Sequence, residues 1–224
     1  MIGTRRVPAP ERLDPRGPTV TKQARSEHTR RLLLEAAAVL LHRDGYAATS
    51  MVGIAQAAGV TKGGLYFHFS SKDEICDEVQ IAAVDVLRAH VARQLAVARP
   101  ALRRLAELSR ALMHWLDTDP KVGASFRMAR EMGSVDERFV VFSRTWLAQV
   151  HEFVADAIDG GELGADVPLE TAELLVVVTC VGLESVVSSR IVVPDSDLAV
   201  TLGKLWRLIE LAERSPRPTA GAGA

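Results

Sequence analysis

TSMVGIAQAAGVTKGGLYFHFSSK, residues 49–72, is the stretch of the chain that decides the fold. Its first half carries apolar residues at helical spacing: Met51, Ile54, Ala55 and Ala58. Ser50 precedes them as a natural N-cap, and Gly59 ends the predicted helix. Thr61 is placed to cap a second short helix over residues 62–67. Two short helices joined by a tight glycine turn predict a helix-turn-helix.

Longer helices are predicted on both sides of this motif. The first runs from about residue 23 to 44 and stops at Gly45; its apolar residues are Leu33, Ala36, Ala37, Leu40 and Leu41. Ser71 and Glu74 then form a capping-box pattern that opens a long helix. The apolar face of that helix comprises Ile75, Val79, Ala82, Ala83 and Val86.

The rest of the chain also has helical spacing, which predicts an all-α fold. Further helices are expected at about residues 101–117, 120–131, 137–159, 168–190 and 196–212. Pro120 and Pro168 suit first-turn positions, and Gly160-Gly161 suits a helix end. The valines at 176–178 favour a strand, but the length of the segment and its helical neighbours favour a helix.

Charge divides the chain into two parts. Residues 1–72 hold 11 Lys/Arg and 5 Asp/Glu, a balance of +6, whereas residues 73–224 hold 16 and 23, a balance of -7. We divide the chain into a disordered basic arm (1–20), a helix-turn-helix head (21–70), a helical body (71–213) and a disordered tail (214–224). A basic head on an acidic body indicates that only the head meets a polyanion.

The remaining composition argues against several classes of protein. Cys76 and Cys180 lie far apart, so neither a disulfide framework nor a zinc site is predicted, and no cofactor motif is present. The longest apolar run, residues 174–183, is shorter than the roughly 20 residues that span a bilayer. The N-terminus is rich in Pro and Arg, unlike a signal peptide. These features predict a soluble cytoplasmic protein.

Residues 49–72 resemble the DNA-binding core of the TetR family of repressors, whose recognition helix has the form T-K-G-x-L-Y-x-H-F. The resemblance extends from Lys22 to about Val79 and is closed in register by the run Y-F-H-F-S-S-K-D-E. Within the family, the long arm, the Lys22-Gln23 pair and residues 63–69 look most like the γ-butyrolactone receptors of actinomycetes.

The resemblance implies contacts with double-stranded DNA at Thr49, Thr61, Lys62, Gly63, Tyr66, His68 and Lys72. Ser50 joins them because its hydroxyl lies at the start of the supporting helix. Gly63 and Gly64 keep the recognition helix thin where it enters the major groove. Four of these residues also have a purely structural interpretation. Thr49, Ser50 and Thr61 could serve only as N-caps, and His68 could be a hydrogen-bonded histidine. Leu65, Phe67 and Phe69 are expected in the core.

The resemblance also implies that the body encloses a ligand and pairs as a homodimer through its last two long helices. The predicted last helix carries a stripe of Leu198, Leu202, Leu205 and Ile209, and the 168–190 helix is apolar nearly all round. Such faces need a partner, either a second copy or another part of the same subunit.

Trp146 lies where the butyrolactone receptors have the tryptophan that lines their ligand cavity. The proline-tyrosine sequence usual before it is absent, and the stretch reads Phe139-Val140-Val141-Phe142. Other candidate lining residues, each alternatively plain core, are Met113, Phe126, Met128, Phe142 and Val150. Two ligand classes stay open: a γ-butyrolactone, or an antibiotic or biosynthetic intermediate bound by a pseudo-receptor.

The sequence therefore predicts a ligand-responsive repressor that binds a palindromic operator. An enzyme is the first alternative, with His68 near Cys76, or His114 near Asp117 and Asp119. These pairs lack a third orienting group, a nucleophile motif and metal-ligand spacing, so no enzyme is predicted. A helical adaptor that binds protein through the acidic body is the second, and it leaves the chemistry of residues 61–68 unexplained.

Overall fold

The computed structural model describes residues 22–164, 167–188, 200, 202–204 and 206, and the regular structure among them is helical. The helices are α1 (Lys22–Asp44), α2 (Met51–Ala57), α3 (Lys62–His68), α4 (Lys72–Leu95), α5 (Ala101–Thr118), α6 (Pro120–Met132), a 3₁₀ helix (Glu137–Val140), α7 (Val141–Asp159) and α8 (Leu169–Ser188). The predicted all-α fold is confirmed. The predicted arm, tail and most of the 196–212 helix lie outside the described residues.

Local capping explains the ends of the head helices. The hydroxyls of Ser50 and Thr61 accept hydrogen bonds of 3.1 Å from the backbone N–H groups of Gly53 and Gly64. Ser71 accepts in the same way from Glu74 N–H, but the Glu74 carboxylate turns to the N–H and hydroxyl of Ser70. The predicted starts of α2, α3 and α4 are therefore confirmed, with a capping pattern that differs in its second half.

The predicted helix over residues 137–159 is two elements. The Asp136 carboxylate accepts from Arg138 N–H, and the Asp136 carbonyl accepts from Phe139 N–H, which fixes a tight 3₁₀ turn. Val140 then leaves helical geometry with φ -111° and ψ 10° before α7 begins. The valine-rich segment at 176–178 lies inside α8, so its neighbours outweigh the β-propensity of valine.

Two apolar cores organise the molecule, and α4 contributes to both. The head core packs α1, α2 and α3 against Ile75, Cys76 and Val79 of α4. It also takes in Ala124 and Met128 of α6. The body core packs the later turns of α4 against α5, α7 and α8. Helix α6 also contributes to both cores, because its Val122 lies in the body core.

Candidate nucleic-acid interface

Helix α3 is anchored by two side chains and presents most of its other residues to solvent. Leu65 and Phe69 are fully buried in the head core, and Arg30 of α1 lies over the Phe69 ring at 5.0 Å. The residues that α3 and its cap expose are Thr61, Lys62, Gly63, Tyr66 and Phe67. The sequence predicted DNA contact for all of these except Phe67.

Phe67 is 78% exposed, so the prediction that it lies in the core is wrong. Leu65 and Phe69 are four residues apart and share a helix face, whereas Phe67 lies about 200° round the helix from Leu65. The rings of Phe67 and the neighbouring His68 form an edge-to-face pair, at 5.1 Å between centroids. Helical spacing was the signal that would have identified Phe67 as a surface residue.

The exposed surface of α3 combines a cation, two aromatic rings and a glycine. Lys62 Nζ lies 5.9 Å from the centroid of the Tyr66 ring, one helical turn away. No atom lies within 4 Å of the place that a Cβ on Gly63 would occupy, so this position is open to a ligand. Gly64 differs, because a Cβ there would lie 2.8 Å from Val60 Cγ1. The two glycines therefore serve the outer surface and the inner packing respectively.

Ser50 and Thr61 act as N-caps and remain exposed. A capping hydroxyl uses its oxygen as an acceptor and keeps its own hydrogen free to donate. The two readings of these residues are therefore compatible, and donation to a phosphate stays a prediction.

The side chain of Thr49 does not reach the surface. Thr49 is 4% exposed, and its hydroxyl donates to the Gly45 carbonyl at 2.7 Å. The structure corrects the prediction that this side chain contacts DNA. The hydroxyl of Thr49 instead closes the turn between α1 and α2.

Lys72 and His68 are both half-buried. Lys72 Nζ donates to the carbonyls of Tyr46 and Thr49 at 2.8 and 3.1 Å, and it lies 3.8 Å from the centroid of the Tyr46 ring. The amine thus ties the α1–α2 turn to the start of α4, whatever its role toward DNA. The DNA contacts predicted for Lys72 and His68 stay predictions.

Tyr46 was missed by the sequence reasoning. Its hydroxyl donates to Asp73 at 2.6 Å, and this bond together with burial raises the pKa of Tyr46 to about 12. Its ring packs edge-on against Phe139, at 5.1 Å between centroids. These partners lie far along the chain, so no local motif marks the residue.

The predicted ligand-lining residues divide between the two cores. Met113, Phe142, Trp146 and Val150 are buried together in the body core, with Phe126 packed against it. Met128 lies in the head core instead, apart from the other candidates, and its role as a ligand-lining residue stays a prediction. Met128 is two residues beyond Phe126 on α6, and that spacing turns it toward α1.

The body core contains two unpaired indole nitrogens and a cavity. Trp146 is 3% exposed, and its Nε1, like that of the buried Trp206, has no hydrogen-bond partner among the described residues. A separate cavity of about 220 Å³ lies between α5, α7 and α8. Its walls are Leu102, Leu105, Val154, Leu163, Val167, Thr171, Ala172, Leu175, Val176 and Trp206. None of the predicted lining residues belongs to this cavity.

Cys76, which the enzyme alternative pairs with His68, is a core residue. Cys76 is fully buried in the head core, and burial raises the pKa of its thiol to about 12, which keeps it protonated. The described residues contain no group of three or more His, Cys, Asp or Glu that would hold a metal ion. None of the described helices has the length and apolar character that a membrane crossing needs.

The comparison with known protein families agrees with this geometry. Residues 33–79, from the middle of α1 to the first turns of α4, match the family described as bacterial regulatory proteins, tetR family. The head therefore matches the DNA-binding domain of the TetR family. The matched region includes α2, α3 and most of the head core.

The chain is also similar to curated regulators. The HTH-type transcriptional regulator SrpR of Pseudomonas putida is 25% identical over 149 residues, which cover 66% of this chain and 70% of that protein. The A-factor receptor protein of Streptomyces griseus is 42% identical over 60 residues, which cover 27% of this chain and 22% of that protein. The second alignment thus spans less than a quarter of that protein's length. The first alignment shows that the chain is similar to a transcriptional regulator over 66% of its length.

Solved structures extend the likeness to the body. A structure described as the molecular basis for control of antibiotic production by bacterial hormones is 26% identical, with a TM-score of 0.69, and the match covers 83% of this chain and 97% of that one. A γ-butyrolactone receptor described as ArpA-like is 23% identical, with a TM-score of 0.65, covering 84% and 99%. The TetR-family fold is therefore shared over both head and body.

Proposed function

We propose that this TetR-family regulator is a repressor that binds a palindromic operator as a homodimer and releases it when a small molecule binds the body. The observation that carries the proposal is the exposed surface of α3. Lys62, Tyr66 and Phe67 stand on a short helix that Leu65 and Phe69 fix to the head core. A rigid helix with exposed reading groups is what direct readout in the major groove requires.

The chemistry of the exposed residues suits DNA. Lys62 carries a positive charge toward the phosphates, and Gly63 leaves room for the backbone to approach closely. Phe67 offers an apolar ring of the kind that contacts the methyl group of thymine. Arginine and lysine in residues 1–72 leave that part with a balance of +6, which favours a polyanion over a protein partner.

The proposed homodimer is supported by α8. Leu174, Val178 and Val181 recur at positions i, i+4 and i+7 and are exposed, with Leu175 beside them. A row of exposed apolar side chains along one helix is typical of an interface. Of the stripe predicted on the last helix, Leu202 is buried in the body core, and Leu198, Leu205 and Ile209 lie outside the described residues.

The proposed ligand is a small, mainly apolar molecule with a hydrogen-bond acceptor. Trp146 Nε1 is a buried donor without a partner, and leaving such a group unpaired costs about 1–3 kcal/mol. An acceptor oxygen on a ligand would relieve that cost. A γ-butyrolactone fits this description, and so does an antibiotic or biosynthetic intermediate with a buried carbonyl.

The DNA-binding part is tested with duplex DNA from upstream of the chain's own gene. Fluorescence anisotropy should show binding by the wild type. Lys62→Ala should weaken the free energy of binding by about 1–3 kcal/mol, because it removes the contact of this lysine with DNA. Lys204→Ala is the matched control, because Lys204 is an exposed lysine on the body. Equal binding by Lys62→Ala and the wild type would contradict the assignment of α3 as the reading helix.

The ligand part is tested by mass spectrometry of compounds that elute from the purified protein after exposure to culture extract of its host. Trp146→Phe keeps an aromatic ring and removes Nε1. This variant should bind the operator like the wild type, yet retain less of the eluted compound and need more of it for release. Release at the wild-type compound concentration would remove Trp146 from the ligand site.

A further inference from the structure

The turn between α1 and α2 is held by two residues of the body. Arg127 of α6 donates from Nη1 to the carbonyls of His42 and Arg43, at 3.0 and 2.6 Å. Glu131, one turn later on α6, accepts from the backbone N–H of Tyr46 at 2.9 Å. Arg127 and Glu131, which we call the α6 clasp, are joined to each other by a 2.7 Å bond from Nε to the carboxylate.

The α6 clasp satisfies groups that the helix itself leaves unpaired. The last carbonyls of α1 have no partner within the helix and lie at the negative end of its dipole, which favours a cation there. A guanidinium has several donors in a fixed fork, so one side chain serves both carbonyls and the Glu131 carboxylate. Hydrogen bonds to charged groups are stronger than neutral ones.

Glu131 is held in its charged form. Its partial burial alone raises the pKa, but the hydrogen bonds from Arg127 and from Tyr46 N–H outweigh burial, and the pKa of Glu131 is lowered. The clasp therefore stays a charged pair at neutral pH. Gly45, with φ +87°, lies directly against the Glu131 carboxylate, and a Cβ there would overlap it.

The clasp lies where it controls the direction of the reading helix. Ser50, the cap of α2, follows Tyr46 by four residues, and α3 packs against α2 and α1. Any rotation of the α1–α2 turn relative to α6 is thus passed to the exposed surface of α3. On the same turn of α6, Arg130 pairs with Glu184 of α8 at 2.8 Å. Helix α6 therefore connects the helix proposed to dimerise with the turn that carries the head.

We infer that Arg127 and Glu131 are positioning residues that fix the head relative to the body, and so set the separation of two heads in a dimer. The inference rests on the proposed function, because it assigns to these residues an effect on operator geometry. It predicts that the clasp matters more for half-site spacing than for the affinity of one head.

The test uses the full chain and an operator that the wild type selects from random duplex DNA. Versions of this operator with two base pairs added or removed between the half-sites rotate one half-site by about 70°, given about 10.5 base pairs per turn. The wild type should prefer its selected spacing. Arg127→Ala should lower that preference by roughly tenfold, within the usual range of about 5–150-fold for couplings between sites.

Two further variants make the result specific. Arg127→Lys keeps the charge and a donor for the carbonyls but loses the fork, and should keep part of the spacing preference. Arg103→Ala is the matched control, because this exposed arginine of α5 pairs with Glu107 of the same helix and lies outside the clasp. Its spacing preference should equal that of the wild type.

A folded Arg127→Ala with unchanged spacing preference overturns the inference, even where its overall affinity is weaker. Equal loss in Arg103→Ala overturns it as well. If Arg127→Ala fails to fold, the spacing preference is measured for Glu131→Gln instead. This variant keeps an acceptor for the Tyr46 N–H and removes the charge that holds Arg127. Wild-type preference in Glu131→Gln then counts against the clasp. A wild type that selects no DNA overturns the proposed function itself.

Discussion

Phe67 and Phe69 are two residues apart in the most informative motif of the chain and have opposite environments. Phe69 is buried in the head core beneath Arg30, whereas Phe67 stands in solvent on the outer side of α3. An exposed phenylalanine contributes little to the stability of the fold, and Phe67 shares the exposed surface of α3 with Lys62 and Tyr66. The proposed partner is the floor of the major groove.

The two phenylalanines give a paired prediction. Phe67→Ala should change the free energy of unfolding by no more than about 0.5 kcal/mol, as for other surface changes, and weaken operator binding by about 1–3 kcal/mol. Phe69→Ala should lower the unfolding free energy by about 3–5 kcal/mol, because it leaves a cavity. Urea denaturation and fluorescence anisotropy measure the two effects. A Phe67→Ala protein with normal operator affinity would show that Phe67 takes no part in DNA binding.

At the residue scale, the sequence predicts what is local and misses what depends on distant partners. Ser50 and Thr61 were identified as caps because a cap acts within three residues. Lys72 and Tyr46 meet across a gap of 26 residues, and Tyr46 meets Glu131 across 85. Contacts over such gaps leave no periodicity or motif, so the sequence gives no sign of them.

At the scale of elements, two glycines show how the same residue serves different surfaces. Gly63 of α3 faces open space, where a side chain would meet nothing in the free protein. Gly123 of α6 lies against the His42 ring of α1, which a Cβ would overlap. The first glycine keeps the reading helix thin, and the second lets α1 and α6 approach closely.

Substitution of each glycine by alanine should therefore have opposite effects on stability. Gly63→Ala should raise the unfolding free energy by up to about 0.5 kcal/mol, because alanine loses less backbone entropy in a helix. It should still weaken operator binding, since the methyl group occupies the interface. Gly123→Ala should lower the unfolding free energy by about 1–3 kcal/mol through overpacking. Thermal or urea unfolding of both variants is the measurement, and destabilisation by Gly63→Ala would contradict the open geometry of α3.

Element boundaries follow from the sequence wherever a cap or a breaker marks them. Pro120 begins α6 and Gly160 caps α7, as their residue types predict. The break at Val140 carries no such mark, because it depends on Gln80 of α4. The buried Gln80 side chain donates to the Phe139 carbonyl and accepts from Phe142 N–H, which holds the two helix ends apart from each other. A glutamine 59 residues away cannot be read from the local pattern.

On the scale of the whole molecule, charge and apolar surface are separated. The N-terminal third is basic and carries α3, while the acidic remainder carries the exposed apolar row of α8. This division suits a protein that presents one surface to DNA and another to a second copy of itself. The acidic body also repels DNA phosphates, which favours binding through the head alone.

The basic head predicts a steep salt dependence of operator binding. Each phosphate that the protein neutralises contributes about -0.9 to the slope of log K against log salt concentration. Lys62→Ala should make the slope shallower by about one unit, and Lys204→Ala should leave it unchanged. Titrations at several salt concentrations give both slopes. A flat response in the wild type would mean that phosphate charge does not drive binding.

The exposed row on α8 predicts that dimerisation fails when a charge is placed in it. Val178 is 58% exposed at the centre of this row, so Val178→Asp should leave the subunit folded. In a two-fold interface the same substitution appears on both sides, and two unpaired carboxylates would be buried together. Sedimentation velocity should then show monomers at a concentration where the wild type is a dimer.

Loss of the dimer should also weaken operator binding. When two heads are linked, the second half-site is bound at a high effective concentration, and this advantage of roughly 10²–10⁴-fold disappears for separate subunits. Val97→Asp is the matched control, because Val97 is 50% exposed and lies in the connection after α4, outside α8. It should remain dimeric and bind the operator normally. A Val178→Asp protein that stays dimeric, with unchanged operator affinity, would place the interface on another surface of the body.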